Sequence, residues 1–320
     1  MSRIILVLIL VYIIYIKLNI TEHYTPLSNN IFFSYLEKNG YIIDKHNKTI
    51  TNNNKILKYN NNFNNKKSAQ LVLHKDKLSD MLYTYNMSVP KFIKVKKYNE
   101  IDILNEIHQI KLHFPLVVKP TSESLGNGVE TDIYDEKTLL NVIKISLKKY
   151  KILLVEEQIR GNVYRILMFN NKIIDIIGKR KASVLGDGVN MIKTLINKKY
   201  KDKLLPNIRL LKYQNVNLDT IIPKNHKIDI SNIINMQNGA ECERININEV
   251  PKINKDFFLD VTKKVDIFCT GIDFISNDIY VPYTTNNGKI LELNYKPDIN
   301  IHLNNEPIKN NFYNTVLENM

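Results

Sequence analysis

The chain has 320 residues, 44% of them hydrophobic, which supplies apolar material for one large or two smaller packed units. Two cysteines, Cys242 and Cys269, exclude a disulfide framework and any Cys/His metal spacing, and point to a reducing compartment. The formal charge of +13 describes a surface that attracts polyanions, yet the lysines are scattered and no helix-turn-helix, zinc-finger or RNP-like string is present, so no specific nucleic-acid binding is expected.

Arg3 precedes an unbroken apolar run from Ile4 to Ile16, followed by Lys17 and Leu18-Asn19-Ile20. As a helix the run is roughly 20 Å long, or about 26 Å with Ile20 included and Lys17 snorkelling, against a hydrocarbon core of about 30 Å. Small residues of the kind a signal peptidase requires do not follow it. Residues 1–20 are therefore expected to form an uncleaved membrane anchor, with the basic body kept on the cytoplasmic side. Residues 21–67 are Asn-rich and read as a linker, with a helix-like patch at 31–37 and a strand-like patch at 41–43 forming a partial pre-domain.

From Ser68 the periodicity strengthens. The spacing predicts helices over 76–85, 100–112 and 135–149, the second capped by Asn99. Between them fall strands at 114–119, 129–133 and 152–155, and then a pair at 163–169 and 172–177 joined by the turn Asn170-Asn171. A helix over 191–198 and an ambiguous Lys/Asn-rich stretch follow. Phe258, Val261, Val265 and Phe268 predict a helix over 255–270 that carries Cys269 and stops at Gly271, and a last helix lies at 311–317. Helices and strands alternate in blocks, which argues for an α+β fold in two lobes, residues 68–155 and 156–320.

Four strings carry chemistry. Lys119 ends the apolar run Phe114-Pro-Leu-Val-Val, where an ammonium is costly unless it meets a cleft and an anion. The loop Thr121-Ser-Glu-Ser-Leu-Gly-Asn-Gly128 follows, and its glycines and hydroxyls let backbone N–H groups approach phosphate oxygens, although a plain glycine turn has the same composition. Leu154-Val-Glu-Glu-Gln-Ile159 runs an apolar strand into a linker whose backbone can face a planar base. Glu292 and Asn294 alternate with Leu291 and Leu293, so they share one strand face while the leucines take the other. With Asp273 they make three hard oxygen donors of the kind magnesium prefers.

Taken in order, these strings resemble the ATP-grasp ligases. The order is Val118-Lys-Pro120 with its glycine loop, Val155 to Gly161, Gly271-Ile-Asp273, and Glu292-Leu-Asn-Tyr-Lys-Pro297. The similarity is strongest to the ligase domain of cyanophycin synthetase and of bifunctional glutathione synthetase, carried by Tyr164-Arg165, by Ala182 to Gly188 with Ile192 to Ile196, by Asn235 to Gly239, and by His302. It covers about residues 68–307 and implies an ATP-grasp fold whose two lobes grip ATP. It implies further that Lys75 (or Lys77) and Lys119 contact the α and β phosphates, and that Ser124, Gly126, Asn127 and Gly128 lie over the triphosphate. By the same resemblance Glu156, Glu157 and Ile159 belong to the adenine hinge, and Asp273, Glu292 and Asn294 hold Mg2+, or Mn2+ in its place. Arg165, Lys179 and Arg180 would face an acidic substrate, and Asn235 would close near the γ-phosphate.

The chain departs from the family pattern at several positions. Val163 stands where an acidic residue meets the ribose hydroxyls, Asp298 and Ala240 replace glycines, and His74 precedes Lys75 where an aspartate is usual. The implied reaction is ATP-dependent joining of a carboxylate to an amine through an acyl phosphate. The implied partners are an acidic small molecule, an amine acceptor and, through residues 1–20, a membrane, with homo-oligomerisation left open. An inactive, membrane-held nucleotide-binding scaffold is the alternative.

Overall fold

The computed structural model describes residues 30–44, 46, 49–52, 55–58, 64–123, 126–201, 204–231, 241–303 and 305–318. The expected anchor over residues 1–20, together with Ser124 and Asn235, lies outside these described residues. Among the described residues, no helix is long and apolar enough to cross a membrane.

The chain begins with helix α1 (Asn30–Lys38) and an antiparallel three-stranded sheet, β1 (Ile42–Asp44), β2 (Thr49–Asn52) and β3 (Lys55–Lys58). Strands therefore occupy part of the Asn-rich stretch expected to be linker. Thr49-Ile-Thr-Asn alternates over only four residues and Lys55-Ile-Leu-Lys does not alternate, so neither outweighed composition. Leu36 and Ile50 are fully buried and pack with Phe312 and Tyr313 of the last helix, so this small unit is fastened to the back of the second lobe.

Two helices follow, α2 (Lys66–Leu73), which the sequence did not suggest, and α3 (Lys75–Thr84). Their apolar residues Val72, Leu78 and Leu82 enter the core of the second lobe, although their chain position had assigned them to the first.

The first lobe is built on β4 (Phe92–Val95), β5 (Leu116–Pro120), β6 (Glu130–Ile133) and β7 (Leu153–Glu157), antiparallel in the order β4-β7-β5-β6. Helices α4 (Glu100–Gln109) and α5 (Glu136–Ser146) cover one face. Asn99 and Asp135 start them by accepting the backbone N–H three residues on, which satisfies a donor that helix geometry leaves orphaned. Ile103, Ile107, Leu139 and Ile143 then meet Leu116, Val118, Leu153 and Val155 in a single core. The opposite sheet face is left for the site.

The second lobe starts with the hairpin β8 (Asn162–Phe169) and β9 (Lys172–Arg180). Asn170 and Asn171 both adopt left-handed backbone, φ 45° and 55°, as the tight turn that matches strand twist requires. An inserted unit follows, made of β10 (Ser183–Leu185), α6 (Ile192–Tyr200), α7 (Ile208–Tyr213) and β11 (Lys227–Asp229), with its own core around Ile192, Leu211 and Ile230. The chain returns through β12 (Glu241–Arg244), α8 (Lys252–Val265), β13 (Cys269–Ser276) and β14 (Lys289–Asn294), and ends in α9 (Glu306–Glu318). The five-stranded sheet has the order β12-β9-β8-β13-β14 and is antiparallel throughout.

The helix expected over 255–270 is corrected here. It ends at Val265, where Asp266 turns left-handed at φ 54°, and Cys269 opens a fully buried strand. In so short an apolar run, helical and strand spacing share the same residues. Phe258 on α8 lies fully buried, with its ring 5.0 Å from that of Phe274 on β13. Phe258→Ala is expected to lower unfolding free energy by about 3–5 kcal/mol, read as a shift in the urea midpoint.

Candidate active site

The uncovered face of the first sheet carries Val117 and Lys119 on β5, two residues apart and so on one side. Lys119 is 9% exposed and its Nζ lies 2.8 Å from Glu156 Oε2 on β7, so the buried ammonium is parked on a carboxylate. Lys75 opens α3 where the chain passes between the lobes. Its backbone N–H donates to Thr121 O and its Nζ donates to Glu123 O at 2.6 Å, while Glu292 Oε2 of the second lobe lies 3.4 Å away. Lys77, the other candidate, is exposed.

Across the gap, register sets the chemistry. Asp273 on β13 pairs with Arg165 on β8 and with Glu292 on β14, and Gly271 pairs with Asn294. Arg165 donates from Nε and Nη2 to the two oxygens of Asp273 at 2.6 and 2.8 Å, a two-pronged charge-assisted contact. Lys179 Nζ lies 3.6 Å from Asp273, and the Asn294 carboxamide sits 3.4 Å from Asp273 and 3.3 Å from Glu292. Burial opposes charge on Asp273, but the Arg165 guanidinium and Lys179 more than reverse that, holding the carboxyl well below the usual range. Gly271 makes room for this: a Cβ there would stand 2.9 Å from Arg165 Cδ and 3.1 Å from Pro297 Cβ.

A β-bulge between Asp273 and Phe274 changes the expected facing of the leucines. Leu293 is buried in the core, but Leu291, the extra residue of the bulge, lines the site instead of turning away from it.

These groups share one interlobe cavity of about 290 Å³. The predicted residues that line it are Lys75, Lys119, Gly126, Asn127, Glu156, Glu157, Ile159, Arg165, Lys179, Asp273, Glu292 and Asn294. Lys75, Arg165, Lys179, Asp273, Glu292 and Asn294 form one linked charged end, the Lys119–Glu156 pair stands at the hinge, and Val117, Val129, Ile159, Val163, Ile275 and Leu291 supply apolar wall.

Two predicted residues are placed elsewhere. Arg180 pairs with Glu243 of β12 and, outside the interlobe cavity, lines an adjoining cleft whose walls Lys179 and Lys181 share. Gly128, left-handed at φ 71°, packs where a Cβ would strike the Tyr150 ring, so it shapes the loop without lining the cavity. His302 is fully buried with Nδ1 2.8 Å from Asp175, and burial pushes its pKa down.

Sequence reasoning missed Thr131, Lys181 and Leu291 as lining residues. Gln158, inside the hinge string of residues 156–159, lines the cavity with its neighbours. Lys181 follows Lys179 at strand spacing, but nothing in the sequence extends the strand's facing past Arg180.

Removing one partner of a buried ion pair leaves the other uncompensated. Arg165→Met is therefore expected to cost about 3 kcal/mol of stability in chemical denaturation, and Arg165→Lys to recover only part, because an ammonium cannot make the two-pronged contact.

No protein-family model matches the sequence. The chain is 27% identical over 255 residues to the glutathione biosynthesis bifunctional protein of Clostridium perfringens, an alignment covering 73% of this chain and 32% of that protein. It is 24% identical over 256 residues to the cyanophycin synthetase of Synechocystis sp., covering 73% and 28%. The chain thus spans about a third of the length of the curated relatives it matches. Among solved structures, the bifunctional glutathione synthetase from Pasteurella multocida superposes with a TM-score of 0.52 at 18% identity, over 84% of this chain and 40% of that one. The chain has the α+β ATP-grasp fold, and in sequence it is a relative of bifunctional glutathione synthetases and cyanophycin synthetases.

Proposed function

We propose that the interlobe cavity binds ATP with a divalent cation and that the chain is an ATP-dependent carboxylate–amine ligase. One observation carries this reading: Lys75, Arg165 and Lys179 converge with Asp273, Glu292 and Asn294 on a cavity that Lys119, the apolar side chains of Val117, Ile159 and Leu291 and the hinge residues also line. A flat base suits the apolar walls, where Val117, Ile159 and Leu291 offer packing surfaces and residues 156–159 offer backbone donors and acceptors. A triphosphate suits the charged end.

The donor set fits Mg2+. Two carboxylates and a carboxamide lie within hydrogen-bond reach of one another, and a carboxylate has lone pairs beyond those Arg165 uses. Rotating the Asn294 amide would present its oxygen in place of nitrogen. Among the described residues no group of three or more His, Cys, Asp or Glu forms a metal cluster, so phosphate and water oxygens would complete the shell. When bound, the ion would supply charge neutralisation on the phosphates.

The chain's own groups then do the rest. Lys119 and Lys75, held on Glu156 and Glu292, would turn their ammonium groups toward phosphate oxygens as these arrive. A substrate carboxylate oxygen attacks the γ-phosphorus, ADP leaves, and an acyl phosphate remains. An amine nitrogen attacks the acyl carbon, inorganic phosphate departs, and the nitrogen loses a proton to give the amide. Arg165 and Lys179 place positive charge where the acidic substrate and the acyl phosphate would lie. Ser124 and Asn235 are proposed to act at the triphosphate, Asn235 near its γ-phosphate. The apolar run of residues 4–16 supports placing the ligase at the cytoplasmic face of a membrane.

The purified chain, given ATP, Mg2+, an acidic amino acid or dipeptide and an amine, is expected to release ADP and phosphate. Glu292→Ala and Lys119→Ala should each lower that turnover at least about 100-fold while leaving the circular dichroism spectrum unchanged. Turnover surviving both substitutions sinks the assignment.

A further inference from the structure

Lys75, Lys119 and Lys179 each stand within 4.0 Å of a carboxylate, Glu292, Glu156 and Asp273 respectively. Lys181 is different. It lines the same cavity, is half-buried, and has no carboxylate at ion-pair distance and no hydrogen-bond acceptor among the described residues. An ammonium taken partly out of water without a partner is costly, and the cost is recovered when a ligand brings an acceptor. Burial accordingly pushes Lys181 below the ordinary lysine range, against the pull of Asp229 and Asp132.

Its place along the cavity says which part of a ligand it meets. Lys179 reaches Asp273 at the charged end. Lys181 lies two residues further along the chain, a step of roughly 7 Å for an extended strand. The step runs toward the hinge, because β9 is antiparallel to β8: Ile177 faces Arg165 and Lys179 faces Val163, so the chain beyond Lys179 heads for Gly161 and the hinge residues before it. In a nucleotide with its triphosphate at Asp273 and its base at the hinge, the sugar falls between them. Val163 faces Lys179 across the β8–β9 ladder and lines the cavity there, bringing no polar atom. The sugar hydroxyls thus meet a cationic donor at this point of the cavity wall.

We infer that Lys181 is a specificity-determining residue, donating to a ribose hydroxyl oxygen of the bound nucleotide. The inference rests on the nucleotide-site reading above. A lysine that only raised the general potential would act on phosphate as strongly as on the nucleoside, and that difference is measurable.

Full-length wild-type chain, Lys181→Met and Lys181→Arg are titrated with ATP, 2′-deoxy-ATP, 3′-deoxy-ATP and inorganic tripolyphosphate, each with Mg2+, by calorimetry. Lys181→Met is expected to weaken ATP about tenfold, to leave tripolyphosphate within about twofold, and to be largely rescued by arginine. One deoxy analogue should bind wild type about tenfold more weakly than ATP and be indifferent to Lys181→Met. A parallel loss of ATP and tripolyphosphate, or equal binding of ATP and both deoxy analogues to wild type, overturns the contact while leaving the nucleotide site intact. Failure of wild type to bind ATP overturns the site itself and the contact with it.

Discussion

The contact between Arg165 and Asp273 is the constraint on which the site depends. Both side chains project from the middle of the five-stranded sheet onto the face that meets the first lobe, and both are nearly withdrawn from water. Neither charge is tolerable there alone. Paired through two hydrogen bonds they fix each other, and Asp273 stays ionised against its burial. Lys179, Asn294 and Glu292 are then organised around a carboxylate that cannot leave its place.

Around that centre, cations rest on carboxylates in a way that prepares the cavity for a polyanion. Lys119 on Glu156 and Lys75 near Glu292 are contacts that arriving phosphate oxygens can compete for. Lys75 Nζ also donates to Glu123 O of the first lobe, so occupancy of the cavity and the spacing of the lobes are coupled through the same side chain. A second tie lies at the hinge end. The Asp132 carboxylate accepts from Thr131, Gln158 and Asn207, and Arg209 of the inserted unit pairs with Glu130. Thr131 and Gln158 line the cavity, so the inserted unit helps hold its walls without touching its centre.

Much of this was legible one residue at a time. Lys119-Pro120, Glu156 to Ile159, Asp273 and Glu292 with Asn294 were picked out because their residue types sit at strand ends or alternate at strand spacing, and the cavity contains them. Arg180 shows where such reading stops: sequence adjacency to Lys179 suggested a shared task, but Arg180 is held by Glu243 of the neighbouring strand and stays out of the cavity that Lys179 lines. Cys269 shows a second limit, since four apolar residues cannot distinguish a helix end from a strand start.

The sequence by itself determined the α+β alternation, the oxygen donors on the closing strand, and the lysine at the end of a buried one, because side-chain chemistry and local periodicity are properties of short segments. Only the tertiary structure decided that Arg165 neutralises Asp273, that a bulge turns Leu291 into the cavity, and that Lys181 stands on the hinge side without a partner among the described residues. Those depend on register between strands far apart in the chain, and register is set by packing of both lobes at once.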